Sequence, residues 1–302
     1  MRPQDPARAM RSFQRCMRQS TQLQRPAIPH IPRTSSTATR AFTTTPSRRH
    51  NPSTVDPTEV SHFNALASSW WDPHGSSRLL HLMNPLRHDF IASCRFNDAL
   101  VPSQKLKYLD IGCGGGIFAE SAARLPDTHS VTAIDPTPGV LKIAEAHKRR
   151  DPLLMEPGRL TYLNTSIEDL PVPETPEEGH DIVTLFEVLE HVNAPGPFIE
   201  KLLPHVKPGG WLIMSTIART WTSWLVTNVM AEDVLGIVPK GTHEWSKYVN
   251  EDELRGYFAK EPGWDGTSVR SLGVMYVPGL GWKEVRGGED WGNYFFAVKR
   301  LK

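Results

Sequence analysis

The run Asp110-Ile111-Gly112-Cys113-Gly114-Gly115-Gly116 constrains the fold of this chain more than any other feature. Four glycines within five residues suit neither the middle of a strand nor that of a helix, because each loses the most backbone entropy on folding. They follow an apolar run with strand character, 106–111, and precede 117–125, which has helical periodicity. A strand-to-helix turn without Cβ atoms lets the backbone approach a ligand closely. A second apolar run, 130–134, leads to Asp135, about 20 residues beyond the glycines, where an acid accepts hydrogen bonds from ribose hydroxyls.

The same alternation continues along the chain. A helix is expected over 138–148, strands over 160–164 and 181–186, a helix over 197–203 and a fifth strand over 211–215. Two helices, 57–71 and 77–100, precede the first strand. Strands alternating with helices imply right-handed βαβ crossovers and a parallel, doubly wound sheet. The tail differs: 269–277 and 291–298 are strand-like with a Gly-rich loop and no helix between them, so they should pair antiparallel. The expected class is α/β: a Rossmann-like sheet, mostly parallel, with an antiparallel C-terminal strand and helices on both faces.

Two cofactor types fit a glycine turn followed by an acid. A dinucleotide fold wants G-x-G-x-x-G, and its third glycine would fall on Ile117. The chain instead reads D-x-G-x-G-x-G, built on Asp110, Gly112, Gly114 and Gly116. A carboxylate before the first glycine would repel a pyrophosphate and attract a sulfonium with a free amino group. The residues therefore favour S-adenosylmethionine over a nicotinamide dinucleotide. Residues 166–169 (SIED) follow the third strand and are candidates either for adenine contact or for an acidic helix start.

Glu187, Glu190 and His191 stand at i, i+3 and i+4, which share one face if a helix starts after the fourth strand. Two readings stand at this point. The face is solvated, or two carboxylates and an imidazole hold a hard or borderline divalent cation such as Mg²⁺. His191 also suits a general base, with His243 a second candidate.

Charge is divided along the chain. Residues 1–50 carry ten arginines against one acid, Asp5, and the rest holds 24 bases against 32 acids. A body with that balance does not resemble a nucleic-acid binder. The acid-poor, Arg-, Ser- and Thr-rich arm fits an organelle transit peptide over 1–49, with the folded domain expected over 50–302. Cys16, Cys94 and Cys113 have no paired spacing and imply neither a disulfide framework nor a thiolate metal site.

Longer stretches carry a family resemblance. Residues 63–73 (FNALASSWWDP), 81–87 (HLMNPLR), 186–192 (FEVLEHV), 215–220 (STIART) and 238–245 (VPKGTHEW) resemble the ubiquinone-biosynthesis O-methyltransferases. The resemblance runs from about Phe63 to Phe296. It implies methyl transfer from S-adenosylmethionine to catechol-type hydroxyls of polyprenylated rings, early and late in one pathway. It further implies cofactor contacts at Arg87, Gly112, Asp135 and Phe186, and metal ligands at Glu187, Glu190 and His191. Position 186 is often methionine in the family, and Ala218 replaces a more polar residue. A place at the matrix side of the mitochondrial inner membrane, in an assembly of ubiquinone-biosynthesis proteins, is implied as well. A methyltransferase of another small acceptor, or a cofactor-binding scaffold of a lipid-biosynthetic complex, are the alternatives.

Residues 221–238 mix tryptophans and aliphatics with only Glu232 and Asp233 as charges. The stripe reads either as a core helix or, within 217–249, as a lid that touches the membrane surface. On the second reading, Trp224→Asp with Leu225→Asp abolishes most liposome binding in a flotation assay. Unchanged flotation by a folded variant would sink the membrane reading.

Overall fold

The structure, a computed structural model, describes residues 54–96, 105–219 and 248–302. The arm 1–49 expected to be a transit peptide, His243 and all but the ends of the 217–249 segment lie outside the described residues.

Two helices precede the sheet, α1 (Pro57–Leu66) and α2 (Arg78–Arg95). Asp56 caps α1, its carboxylate accepting from Thr58 N at 2.9 Å, and Pro57 supplies a preset φ at the first turn. The helix stops at Leu66 and passes into a 3-10 turn, Ala67–Ser69, short of the expected end at 71. The alternating body follows: β1 (Leu106–Ile111), α3 (Ile117–Ala123), β2 (Thr128–Ile134), α4 (Pro138–Lys148), β3 (Leu160–Leu163), β4 (His180–Phe186), α5 (Pro195–Leu202) and β5 (Val206–Ile217). The chain ends with α6 (Glu251–Phe258), β6 (Trp264–Val277), β7 (Gly281–Val285) and β8 (Asn293–Arg300).

The eight strands among the described residues form one sheet in the order β3-β2-β1-β4-β5-β8-β6-β7. β1 to β5 pair parallel, and β8 inserts antiparallel between β5 and β6, as the tail pattern implied. The expected loop between the last two strands also contains β7, which pairs antiparallel with β6 at the sheet edge. Lys283 and Glu284 in its middle are the kind of charges that blunt an exposed edge.

Strand side chains alternate between two cores, which is why the central strands read as unbroken apolar runs. Tyr108, Ile213 and Phe295 enter one core with Phe90, Phe118 and Leu141 from α2, α3 and α4. Leu109, Leu212 and Phe296 enter the other with Ile199 of α5 and Phe258 of α6. β1, β2, β4 and β5 all end at one edge, where the crevice of an open α/β sheet lies. The described residues that flank 220–247 are bonded to one another at that edge. Val249 N donates to Ile217 O, Arg219 N to Asn250 Oδ1 at 2.7 Å, and the Arg219 guanidinium pairs with Glu253.

His205 lies at the far edge, in the turn before β5. It is 1% exposed, with Nε2 lacking a partner, and burial followed by the nearby His180 lowers its pKa to about 4. The unfolded value is near 6.5, so the folded protein binds fewer protons between these values. Stability is therefore complete above about pH 6.5 and falls as pH drops toward 4, by about 3 kcal/mol from this group. His205→Leu should flatten that part of the acid limb, measured by urea melts at several pH values.

Candidate functional site

The glycine turn is held by a buried carboxylate. Asp135, just past the end of β2, accepts Gly114 N at 2.9 Å on one oxygen and Thr137 N at 2.8 Å on the other. Gly112 N and Cys113 N both donate to Ile134 O. The acid expected to face a ribose thus also braces the loop. Gly112, Gly114 and Gly116 all have positive φ. At Gly114 a Cβ would overlap the Trp70 ring, so close packing as well as backbone geometry demands glycine.

Asp110, one residue before the end of β1, is 3% exposed, its Oδ1 accepting from the Thr184 hydroxyl at 2.7 Å and its Oδ2 without a partner. Burial raises its pKa to about 7, although the Thr184 bond and the Arg87 charge oppose the rise. Arg87, from α2, is buried with its guanidinium carbon 4.7 Å from the Phe186 ring centroid, and its Nε is also unpartnered.

Glu187 follows β4 with φ 55°, the one non-glycine with positive φ among the described residues. Its backbone N–H donates to Ser215 O, its Oε1 accepts from Ser215 Oγ at 2.6 Å, and its Oε2 accepts from Asn293 Nδ2 at 3.0 Å. Such a conformation costs about 1–3 kcal/mol and persists only where surroundings impose it. Three strands impose it here, because Ser215 lies on β5 and Asn293 starts β8. Glu190 is buried, accepts from the Thr216 hydroxyl at 2.8 Å, and has its pKa raised by burial and then by the Glu187 charge. His191 Nδ1 pairs with Glu59 of α1 at 3.0 Å while Phe63 packs edge-on against the ring. Burial pulls the His191 pKa down, but the Glu59 bond and the surrounding carboxylates together raise it.

No helix begins at Glu187. Residues Leu189–His191 form a single 3-10 turn, so the expected shared helix face does not exist. Each of the three side chains is turned toward its own partner. Among the described residues no three His, Cys, Asp or Glu groups come together to hold a metal ion.

A cavity of about 540 Å³ connects these groups. Arg87, Asp110, Gly112, Gly114, Asp135, Phe186, Glu187, Glu190 and His191 all line it. Gly116 does not; it packs against Tyr162 and starts α3. Glu168 lines the cavity but is engaged by Thr54, and Asp169 bonds Ser166 instead. Pattern reading missed Glu59 and Asn293, and met Trp70 and Ser215 only within the family-like stretches 63–73 and 215–220. No local signal marks Glu59 or Asn293, since they reach their partners across 132 and 106 residues of chain.

The cavity fits S-adenosylmethionine. Its unpartnered Asp110 Oδ2 can accept from an ammonium, and its glycine backbone leaves room for a sugar. Residues 86–269 match the family described as "Methyltransferase domain". The ubiquinone biosynthesis O-methyltransferase of Schizosaccharomyces pombe, a mitochondrial protein, is 48% identical over 74% of this chain and 77% of its own. Its Candida albicans counterpart is 40% identical over 81% of this chain and 85% of its own. The chain belongs to the ubiquinone biosynthesis O-methyltransferase family. Members of this family are methyltransferases by name, and the fold agrees. A magnesium protoporphyrin IX methyltransferase from Synechocystis PCC 6803 superposes with a TM-score of 0.54, covering 81% of this chain and 100% of that one at 15% identity. A plantazolicin methyltransferase gives 0.53 over 81% of this chain and 97% of that one, at 15% identity.

Gly114→Ala should lower affinity for S-adenosylhomocysteine at least tenfold by calorimetry and lower the Tm. Gly158→Ala serves as the control, because Gly158 also has positive φ but its added Cβ would meet nothing within 4 Å. It carries the backbone strain, about 1–2 kcal/mol, without the clash.

Proposed function

We propose that this protein transfers the methyl group of S-adenosylmethionine to catechol-type hydroxyls of polyprenylated rings in ubiquinone biosynthesis, on 3,4-dihydroxy-5-polyprenylbenzoate and demethylubiquinol. The observation that carries the reading is one cavity in which a glycine-turn cofactor cradle adjoins the Glu187, Glu190 and His191 group. The names of the family's members support the same acceptor.

When bound, S-adenosylmethionine supplies an electrophilic methyl on a sulfonium. The acceptor is a weak nucleophile, with a phenolic pKa near 10, so the protein must take its proton and hold one oxygen in line. In this proposal His191 is the catalytic residue that takes the proton, and Glu187 is catalytic only through the cation. Ser215 and Asn293 hold the Glu187 carboxylate, and Glu59 holds the His191 ring. Proton acceptors fixed before the acceptor arrives need no reorganisation during reaction. Asp110, Gly112, Gly114, Asp135, Arg87 and Phe186 form the cofactor side, with Gly116 supporting the turn from outside the cavity.

A divalent cation, Mg²⁺ first, belongs to the proposal through the resemblance at Glu187, Glu190 and His191. The donor types suit it, but their present hydrogen bonds do not converge, so no step is drawn through a metal. We extend the proposal to location: the mitochondrial matrix, peripheral to the inner membrane, among other ubiquinone-biosynthesis proteins. The 1–49 arm and the mitochondrial relatives support the compartment. Among the described residues no helix is long and apolar enough to cross a membrane.

The test is methyl transfer from labelled S-adenosylmethionine to a short-chain prenylated dihydroxybenzoate, with EDTA and with Mg²⁺ restored. Transfer that stops with EDTA and returns with Mg²⁺ supports both acceptor and cation. Transfer indifferent to EDTA removes the cation and leaves proton removal to the side chains, with His191→Ala expected to lower kcat about 10²-fold or more. Cofactor binding without transfer overturns the acceptor.

A further inference from the structure

The charges of the cavity are confined to part of its wall. Its ionisable lining comes from residues 56–62, from Arg87, from the ends of β1 and β2, from Glu168 and from the turn after β4. Among the described residues the remaining wall carries no charged side chain. Leu79, Leu80 and Met83 of α2 line it on one side, and Met275, Tyr276 and Trp282 of the β6–β7 hairpin on the other. These two sides are fastened together. Trp282 Nε1 donates to Leu79 O at 2.9 Å, Arg78 donates to the Tyr276 hydroxyl at 3.2 Å, and Tyr276 and Trp282 pack edge to face.

The uncharged wall leads outward. Trp291 both lines the cavity and is 51% exposed, and Leu280, at the hairpin tip beside the lining residue Pro278, is 68% exposed. β6 ends, and β7 and β8 begin, at the crevice edge of the sheet, so the tip and Trp291 form the rim of the cavity mouth. Asn293 joins the two regions, lining the cavity and donating to Glu187.

We infer that the wall between α2 and the β6–β7 hairpin is the track for the acceptor's isoprenoid tail, with Trp291 and Leu280 at its exit. This rests on the acceptor proposed above. A ring with its hydroxyls toward Glu187 and His191 must send an apolar tail away from the carboxylates, since that surface would lose hydration without gaining apolar contact. Among the described residues the hairpin wall is the uncharged direction that leads to an exposed apolar rim. The occupant is thus the substrate's own tail, and β7 serves the site as the strand that brings Trp282 onto α2.

The experiment compares 3,4-dihydroxybenzoates carrying one and three isoprene units at ring position 5, using full-length protein in detergent. The quantity read is the ratio of kcat/KM for the long acceptor over the short one. Wild type prefers the long acceptor, and Trp291→Ala lowers the ratio about tenfold, in the range expected for lost apolar contacts in a pocket. Phe96→Ala, at an exposed position outside the cavity, leaves the ratio unchanged. A three-unit acceptor with a diazirine at the tail end gives a second reading in wild-type protein, free of any folding defect. Its label should fall on peptides covering 274–292. An unchanged ratio in Trp291→Ala, or label concentrated in 220–247, overturns the inference alone. Absence of transfer to either acceptor overturns the acceptor reading and this inference with it.

Discussion

The buried carboxylate of Asp135 is the interaction on which the rest of the site depends. It joins two strand-to-helix turns, taking Gly114 N from the turn after β1 and Thr137 N from the turn after β2. Burial raises its pKa, while the amides favour its charged form. Two oriented N–H donors are the condition under which a carboxylate can stay in so dry a place. With the loop fixed, Trp70 has a flat glycine surface to pack on, and Trp71 Nε1 can donate to Gly115 O at 2.9 Å.

That surface docks the N-terminal helices onto the sheet. Trp71 stacks on His147 of α4, with ring centroids 3.5 Å apart and planes 5° from parallel. His147 in turn bonds the fully buried Glu120, which also accepts from Arg124 at 2.8 Å. A buried acid with one partner removed costs about 3–5 kcal/mol, so this group ties α3 and α4 to the docked segment. Asn64 Oδ1 accepts Gly139 N at 2.9 Å, and α1 brings Glu59 to His191. The helices before the first strand are therefore part of the site's construction, one wall of the cavity and the support of one catalytic candidate.

The turn after β4 shows where local pattern loses to tertiary demand. Acid, acid and histidine at helical spacing imply a helix face, yet the chain adopts φ 55° at Glu187 and then a single 3-10 turn. Pro195 disfavours helical geometry at Ala194 and starts α5 instead. What holds Glu187 in place is the meeting of three strand ends, with Ser215 and Asn293 taking both carboxylate oxygens. A pattern rule sees only neighbours along the chain and cannot register donors brought from β5 and β8.

The sequence by itself determined the fold class, the parallel units, the antiparallel close and the glycine turn at the end of β1. Each of these follows from periodicity, from glycines at a strand end and from the handedness of crossovers, all of which act over a few dozen residues. β7 escaped such reading because five residues between glycines look like loop until β6 is present to pair with them. Only the tertiary structure decided that Asp135 braces the turn, that Gly116 stays outside the cavity, and that Glu187 is aimed by Asn293. It alone brought Glu59 to His191 and set an uncharged wall against a charged one. Those outcomes depend on groups brought together at one sheet edge, in the cases of Glu59 with His191 and Asn293 with Glu187 from more than a hundred residues apart, and their energies exist only once the strands have paired.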